Sequence, residues 1–89
     1  MATRTVAIAS SVGLHARPAS LFTQAVQETG LDITIAKEGE DAVDASSILM
    51  VMALGAGHGE VVTLESDDDG ADEALDKLVE LLATDLDAQ

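Results

Sequence analysis

The sequence predicts an α+β fold with two layers, in which three helices cover one face of a four-stranded antiparallel sheet. Four segments are typical of strands, two of them with clear alternation of apolar and smaller or polar residues, and three others carry a single apolar stripe at helical spacing. The connections are short and the order is βαββαβα. Helices with one apolar stripe each need one apolar partner surface, so the opposite face of the sheet should be polar. At 89 residues, we expect one domain over residues 1–89.

The first part of the chain predicts a strand followed by a helix. "TVAIAS" (5–10) alternates Val6 and Ile8 with smaller or polar residues. A helix over about 16–29 follows, and Gly30 ends it. Its apolar stripe consists of Ala19, Phe22 and Val26. Since Phe22 is the only aromatic residue, the core must be built from Val, Ile, Leu, Met and Ala.

The rest of the chain predicts three strands and two helices. "LDITIAK" (31–37) and "AVDA" (42–45) are strands joined by a hairpin-like turn. "SSILMVMALGAG" (46–57) offers two N-cap serines and closes a short helix at Gly55. "EVVTLES" (60–66) is the fourth strand. One face of the last helix carries Ala71, Leu75, Leu78 and Leu82.

Composition excludes several classes of function. The formal net charge is −13, which opposes binding to nucleic acid and to anionic lipid. The longest apolar run, "ILMVMAL" (48–54), is too short to insert into a membrane, and no secretion signal stands out. With no cysteine, the chain has no disulfide or thiolate metal site. We expect a cytoplasmic protein without cofactor or metal.

A candidate site lies at "GLHARPAS" (13–20), where a histidine precedes the predicted first helix. His15 falls at the cap position, and Pro18 suits the first turn. A helix start binds anions through its backbone N–H groups, here those of Ala16 and Arg17. Histidine is a possible nucleophile, and Arg17 could stabilise a phosphoryl group on it. The plain alternative is a polar turn beside an exposed arginine and a helix-starting proline.

Two segments resemble a known family. "GLHARPAS" is similar to the phosphorylation-site motif G-[IL]-H-x-R-P-[AS] of the histidine-containing phosphocarrier proteins, HPr, of the bacterial sugar phosphotransferase system. "SSILMVMALGAGHG" (46–59) resembles the second helix of that family, S-[IL]-x-x-V-M-x-L-G. The similarity covers nearly the whole chain. It implies an open-faced β-sandwich, in agreement with the predicted order of elements.

The resemblance also implies a relay. A phosphoryl group from phosphoenolpyruvate would pass through Enzyme I to the δ nitrogen of His15, with Arg17 assisting, and then to a IIA component of a sugar permease. Such a protein is a phosphocarrier, not an enzyme that turns over a small molecule, and we expect a monomer. His58 matches no such motif and is interpreted as a turn residue. Two alternatives stay open: a module that binds an anion without covalent chemistry, and a paralogous carrier in a nitrogen-type relay.

Ser47 has two interpretations. In some HPr proteins a kinase phosphorylates the serine that opens the second helix, and the resemblance assigns that position to Ser47, with Ser46 as its neighbour. Regulated members often carry lysine before this serine and glycine three residues after it, whereas this chain has Ala45 and Met50. The other interpretation is that Ser46 or Ser47 caps the helix.

"ESDDDGADEALD" (65–76) resembles a calcium loop, but its first and last ligands are the wrong residues and a strand precedes it, so a solvated helix start is preferred.

The seven apolar residues at 48–54 cannot all face the core of a two-layer domain. We therefore predict an exposed partner patch, unless a neighbouring loop covers it. The partner patch comprises Ser20, Leu21, Ile48, Leu49 and Met52.

Overall fold

The antiparallel sheet has the strand order β1-β4-β2-β3. A computed structural model describes residues 2–9, 13–14 and 16–84. The elements are β1 (Ala2–Ala7), α1 (Ala16–Thr29), β2 (Thr34–Lys37), β3 (Val43–Asp44), α2 (Ile48–Leu54), β4 (Val61–Ser66) and α3 (Ala71–Leu82). The predicted order βαββαβα and the open-faced sandwich are confirmed.

The two faces of the sheet differ as predicted. Ile35 lies opposite Leu64 in the β2–β4 ladder, and both side chains are fully buried beneath the helices. On the other face, Thr5 and Ala36 lie on either side of Thr63, and none of the three is fully buried. A strand turns successive side chains to opposite faces, so β4 separates a buried apolar side from a side that is partly open to solvent.

The three helices bury one stripe each against the sheet. The predicted stripe of α1 and the predicted stripe of α3 are buried throughout. In α2, only Val51 and Leu54 are buried. Met50 and Met52 are exposed, so the expectation that methionine contributes to the core is wrong for the described residues. The core is aliphatic apart from Phe22, which is fully buried.

The first strand lies earlier than its predicted range of 5–10. Its end at Ala7 leaves Ile8 outside the regular strand, although the Ile8 N–H still donates to the Glu60 carbonyl at 2.9 Å. Arg4 lies opposite Leu64, on the helix face of the sheet. Its guanidinium reaches Asp76 of α3 at 2.8 Å and Asp72 at 3.2 Å. Because the charged Arg4 occupies a position on the helix face, it interrupts the alternation of apolar and polar residues, and the sequence therefore does not indicate that the strand begins before residue 5.

Neither a membrane span nor a metal site is found within the described ranges. Of the helices there, none is both long and apolar enough to cross a bilayer. The same residues contain no group of three or more histidines and carboxylates arranged to hold a metal ion. The acidic stretch before α3 leads through Gly70 into that helix, as its interpretation as a helix start predicts.

Candidate functional site

The segment that leads into α1 is clamped to the loop that follows α2. The Leu14 N–H donates to the carbonyl of Ala56 at 2.8 Å, and both side chains are buried. Gly13 has φ +74°, and a Cβ added there would lie 2.6 Å from the Ala56 oxygen and 2.7 Å from the Gly57 Cα. Glycine is therefore required at position 13 for its backbone conformation and for its closeness to another backbone.

Of the three predicted site residues, Ala16 and Arg17 lie in the described first turn of α1. The helix begins at Ala16, as predicted, and continues through Arg17 and the buried Pro18. Arg17 is exposed. His15 lies outside the described residues, between Leu14 and Ala16 in the chain. The start of a helix carries a partial positive charge, so this end of α1 favours an anion.

The loop after α2 forms the other side of this region. Gly55 ends α2 in the left-handed conformation, as predicted, and its N–H donates to the Met52 carbonyl. The Gly57 N–H donates to Oε1 of Glu60 at 3.1 Å, while the Glu60 N–H donates to the Gly57 carbonyl at 3.1 Å. His58 is exposed within this turn, which confirms its interpretation as a turn residue.

The start of α2 is built by two serines with different partners. Ser47 is the N-cap, and its Oγ accepts from the Met50 N–H at 3.4 Å. Ser46 donates from its N–H (2.9 Å) and its hydroxyl (2.7 Å) to Oδ1 of Asp44. These two hydrogen bonds, that from the backbone first, hold the pKa of the Asp44 carboxyl below its usual value. Gln27 of α1 donates to the Ser46 carbonyl at 2.9 Å and ties α1 to the turn before α2.

The partner patch is exposed on α2 and half-buried on α1. Leu49 is 77% exposed, and Ile48 and Met52 are exposed as well. Ser20 and Leu21 are only half-buried, so α1 contributes less surface than α2. Met50, which the prediction did not include, is also exposed. An apolar surface that the fold leaves open on one helix is typical of a docking site.

Sequence reasoning missed two acidic residues that hold the ends of α2. Glu60 holds the loop after this helix, and Asp44 holds the turn before it. Both are exposed acids in a chain with 17 of them, so nothing in the sequence singled out Glu60. For Asp44 a signal existed: an aspartate two residues before a serine often accepts from that residue's backbone N–H.

Comparison with known proteins decides the family. The family model described as "PTS HPr component phosphorylation site" matches residues 2–84. The chain belongs to the HPr family. The phosphocarrier protein HPr of Streptomyces coelicolor is 48% identical over 83 residues, covering 93% of this chain and 89% of the relative. HPr of Haloferax volcanii is 43% identical over 82 residues, covering 91% and 92% of the two chains.

The fold agrees with solved HPr structures. The crystal structure of the phosphocarrier protein HPr from Bacillus anthracis matches with a TM-score of 0.84 at 36% identity, covering 91% of this chain and 95% of that one. Together with the family match, this makes the chain an HPr phosphocarrier of the phosphotransferase system.

Proposed function

We propose that this HPr phosphocarrier, as one domain over residues 1–89, accepts a phosphoryl group from Enzyme I on His15 and passes it to IIA components. In the first step a bond forms between phosphorus and the δ nitrogen of His15 while the bond from phosphorus to the Enzyme I donor atom breaks. The second step reverses these roles toward the IIA acceptor. Phosphoenolpyruvate is a cytoplasmic metabolite, so the proposal implies a cytoplasmic protein, which we expect to act as a monomer.

The observation that carries the proposal is the position of the "GLHARPAS" motif, which continues into the first turn of α1 in a chain of the HPr family. The backbone of Ala16 and Arg17 forms the positive end of the helix dipole, which stabilises a doubly charged phosphoryl group. The exposed guanidinium of Arg17 can add charge-assisted hydrogen bonds to the phosphoryl oxygens. The start of α1 and the Arg17 guanidinium would thus both stabilise the same phosphoryl group.

The partner patch is proposed as the surface on which Enzyme I and IIA dock. Its most exposed members, Ile48, Leu49 and Met52, lie on α2, which packs beside α1. Methionine adapts to differently shaped surfaces, which suits a carrier that must meet a donor and an acceptor in turn.

Ser47 is proposed as a regulatory phosphorylation site for a serine kinase. Its Oγ is an acceptor in the cap hydrogen bond, whereas the Ser46 hydroxyl donates to Asp44. A phosphate at a helix N-cap meets a favourable dipole, so the modification would leave α2 folded. The added charge would lie beside Ile48 and Leu49 and would weaken docking of an apolar partner surface.

The decisive experiment compares His15→Ala with His58→Ala after incubation with phosphoenolpyruvate and Enzyme I. Intact-mass measurement should show one added phosphoryl group on the wild type and on His58→Ala, and none on His15→Ala. The adduct should be labile in acid and stable in alkali, as expected for phosphohistidine. Phosphorylation of His15→Ala would contradict the assignment. Reversible anion binding without a mass increase in the wild type would favour the noncovalent alternative.

A further inference from the structure

The carboxylate of Glu60 joins two segments that are far apart in the chain. Its Oε1 accepts from the Gly57 N–H at 3.1 Å, and its Oε2 lies 3.5 Å from Nζ of Lys37 at the end of β2. Nζ of Lys37 is also 3.2 Å from Glu40, which leaves the ammonium paired whether or not Glu60 is present. The two oxygens of this carboxylate therefore have different partners, and substitutions can remove the hydrogen bond to Gly57 and the ion pair with Lys37 in different combinations.

The hydrogen bond to Gly57 acts on the loop that holds the segment before His15. Ala56, the neighbour of Gly57, accepts from the Leu14 N–H at 2.8 Å. Gly13 lies so close to Ala56 and Gly57 that no side chain fits between the two backbones. We therefore expect a shift of the loop at 56–57 to be passed on to Gly13 and Leu14, and Leu14 is followed directly by His15.

We propose that Glu60 is a positioning residue for phosphoryl transfer at His15, and this rests on the proposed function. Its side-chain oxygen fixes the loop at 56–57 by accepting the hydrogen bond from the Gly57 N–H, and the loop in turn fixes Leu14. In this proposal Glu60 acts through the loop and not by contact with the phosphoryl group. Transfer between two proteins depends on the alignment of the attacking nitrogen, and a displacement of about 1 Å can slow such a step about a hundredfold.

Three variants separate the two tasks of the carboxylate. Glu60→Ala removes both the hydrogen bond and the ion pair. Glu60→Gln keeps an oxygen acceptor for the Gly57 N–H and removes the negative charge that pairs with Lys37, and Lys37→Met removes the same ion pair from the other side. We expect Glu60→Ala to lower the kcat for phosphoryl acceptance from Enzyme I by about three- to tenfold, with KM changed by less than about twofold. Glu60→Gln and Lys37→Met should stay within about twofold of the wild type in both constants.

A second measurement follows the position of the loop without any transfer. Amide hydrogen exchange at Leu14, read by NMR, should be severalfold faster in Glu60→Ala than in the wild type and unchanged in Glu60→Gln. Wild-type values of kcat and of Leu14 exchange in Glu60→Ala would overturn the inference, as would an equal loss in Glu60→Gln. If the wild type accepts no phosphoryl group, the proposed function has failed, and the exchange at Leu14 alone still decides whether Glu60 holds the loop.

Discussion

Replacing Gly13 by alanine tests how tightly the two backbones at the site are packed. Alanine at φ +74° adopts the left-handed region, which costs about 1–2 kcal/mol for a residue with a Cβ. The added carbon would also lie 2.6 Å from the Ala56 oxygen and 2.7 Å from the Gly57 Cα. Both contacts are with backbone, so relief requires the loop itself to move, and overpacking of this kind costs about 1–3 kcal/mol.

Gly30 supplies a matched control. It has nearly the same φ, +69°, but an added Cβ would meet nothing within 4 Å. Gly30→Ala therefore carries the conformational cost alone, while Gly13→Ala carries both costs, about 2–5 kcal/mol in total. The gain from a less flexible unfolded chain is common to both variants and cancels in the comparison. In a domain of this size, the difference should lower the Tm of Gly13→Ala by at least about 4–8 °C more than that of Gly30→Ala.

Chemical denaturation followed by circular dichroism measures both free energies of unfolding. We expect a clear excess destabilisation of Gly13→Ala and a reduced rate of phosphoryl acceptance, because the displaced loop carries Leu14 with it. Equal free energies for the two variants would refute the reasoning, since they would show that the loop at 56–57 moves aside at no cost.

Two further predictions concern α2 and the turn before it. Leu49→Glu should leave Tm unchanged because Leu49 is 77% exposed, yet it should raise the apparent KM for Enzyme I severalfold. The control is Val61→Glu, which changes an exposed apolar residue on the open face of the sheet. An unchanged KM for Leu49→Glu would place docking elsewhere. Asp44→Asn tests the lowered pKa of Asp44: a carboxylate held charged in the folded state stabilises the protein above its usual pKa and loses that contribution as pH falls through the lowered value. The difference in Tm between wild type and Asp44→Asn should therefore be largest above about pH 4 and shrink below it, and a difference independent of pH would contradict the role of the Ser46 hydrogen bonds.

The helices could be predicted because their signals are local. Phe22 and Val26 mark the buried stripe of α1 and Gly30 marks its end, so the signals that predict this helix all lie within a few turns of one another. For α2, Ser47 and Gly55 are the cap residues that the backbone geometry at each end requires. The exposure of Leu49 was predictable as well, since a continuous apolar helix cannot bury every side.

The parts that escaped prediction depend on residues distant in the chain. Arg4 is placed on the helix face because Asp72 and Asp76 of α3 receive its guanidinium, and no pattern near Arg4 contains that information. The contact between Gly13 and Ala56 is of the same kind. The motif shows which residue types are present at the site, whereas the loop that holds them is chosen by tertiary packing.

The strand order has a consequence for the time at which a newly made chain becomes competent. β1 leaves the ribosome before β4, which is its partner in the sheet, with Ala2 opposite Ser66. At about 5–20 residues per second, β1 waits on the order of several seconds for that partner. The segment at 13–14 waits for Ala56 in the same way. A nascent chain that has emerged only through α2 therefore carries the complete "GLHARPAS" motif but lacks Ala56, which accepts from the Leu14 N–H, and Glu60, which accepts from the Gly57 N–H.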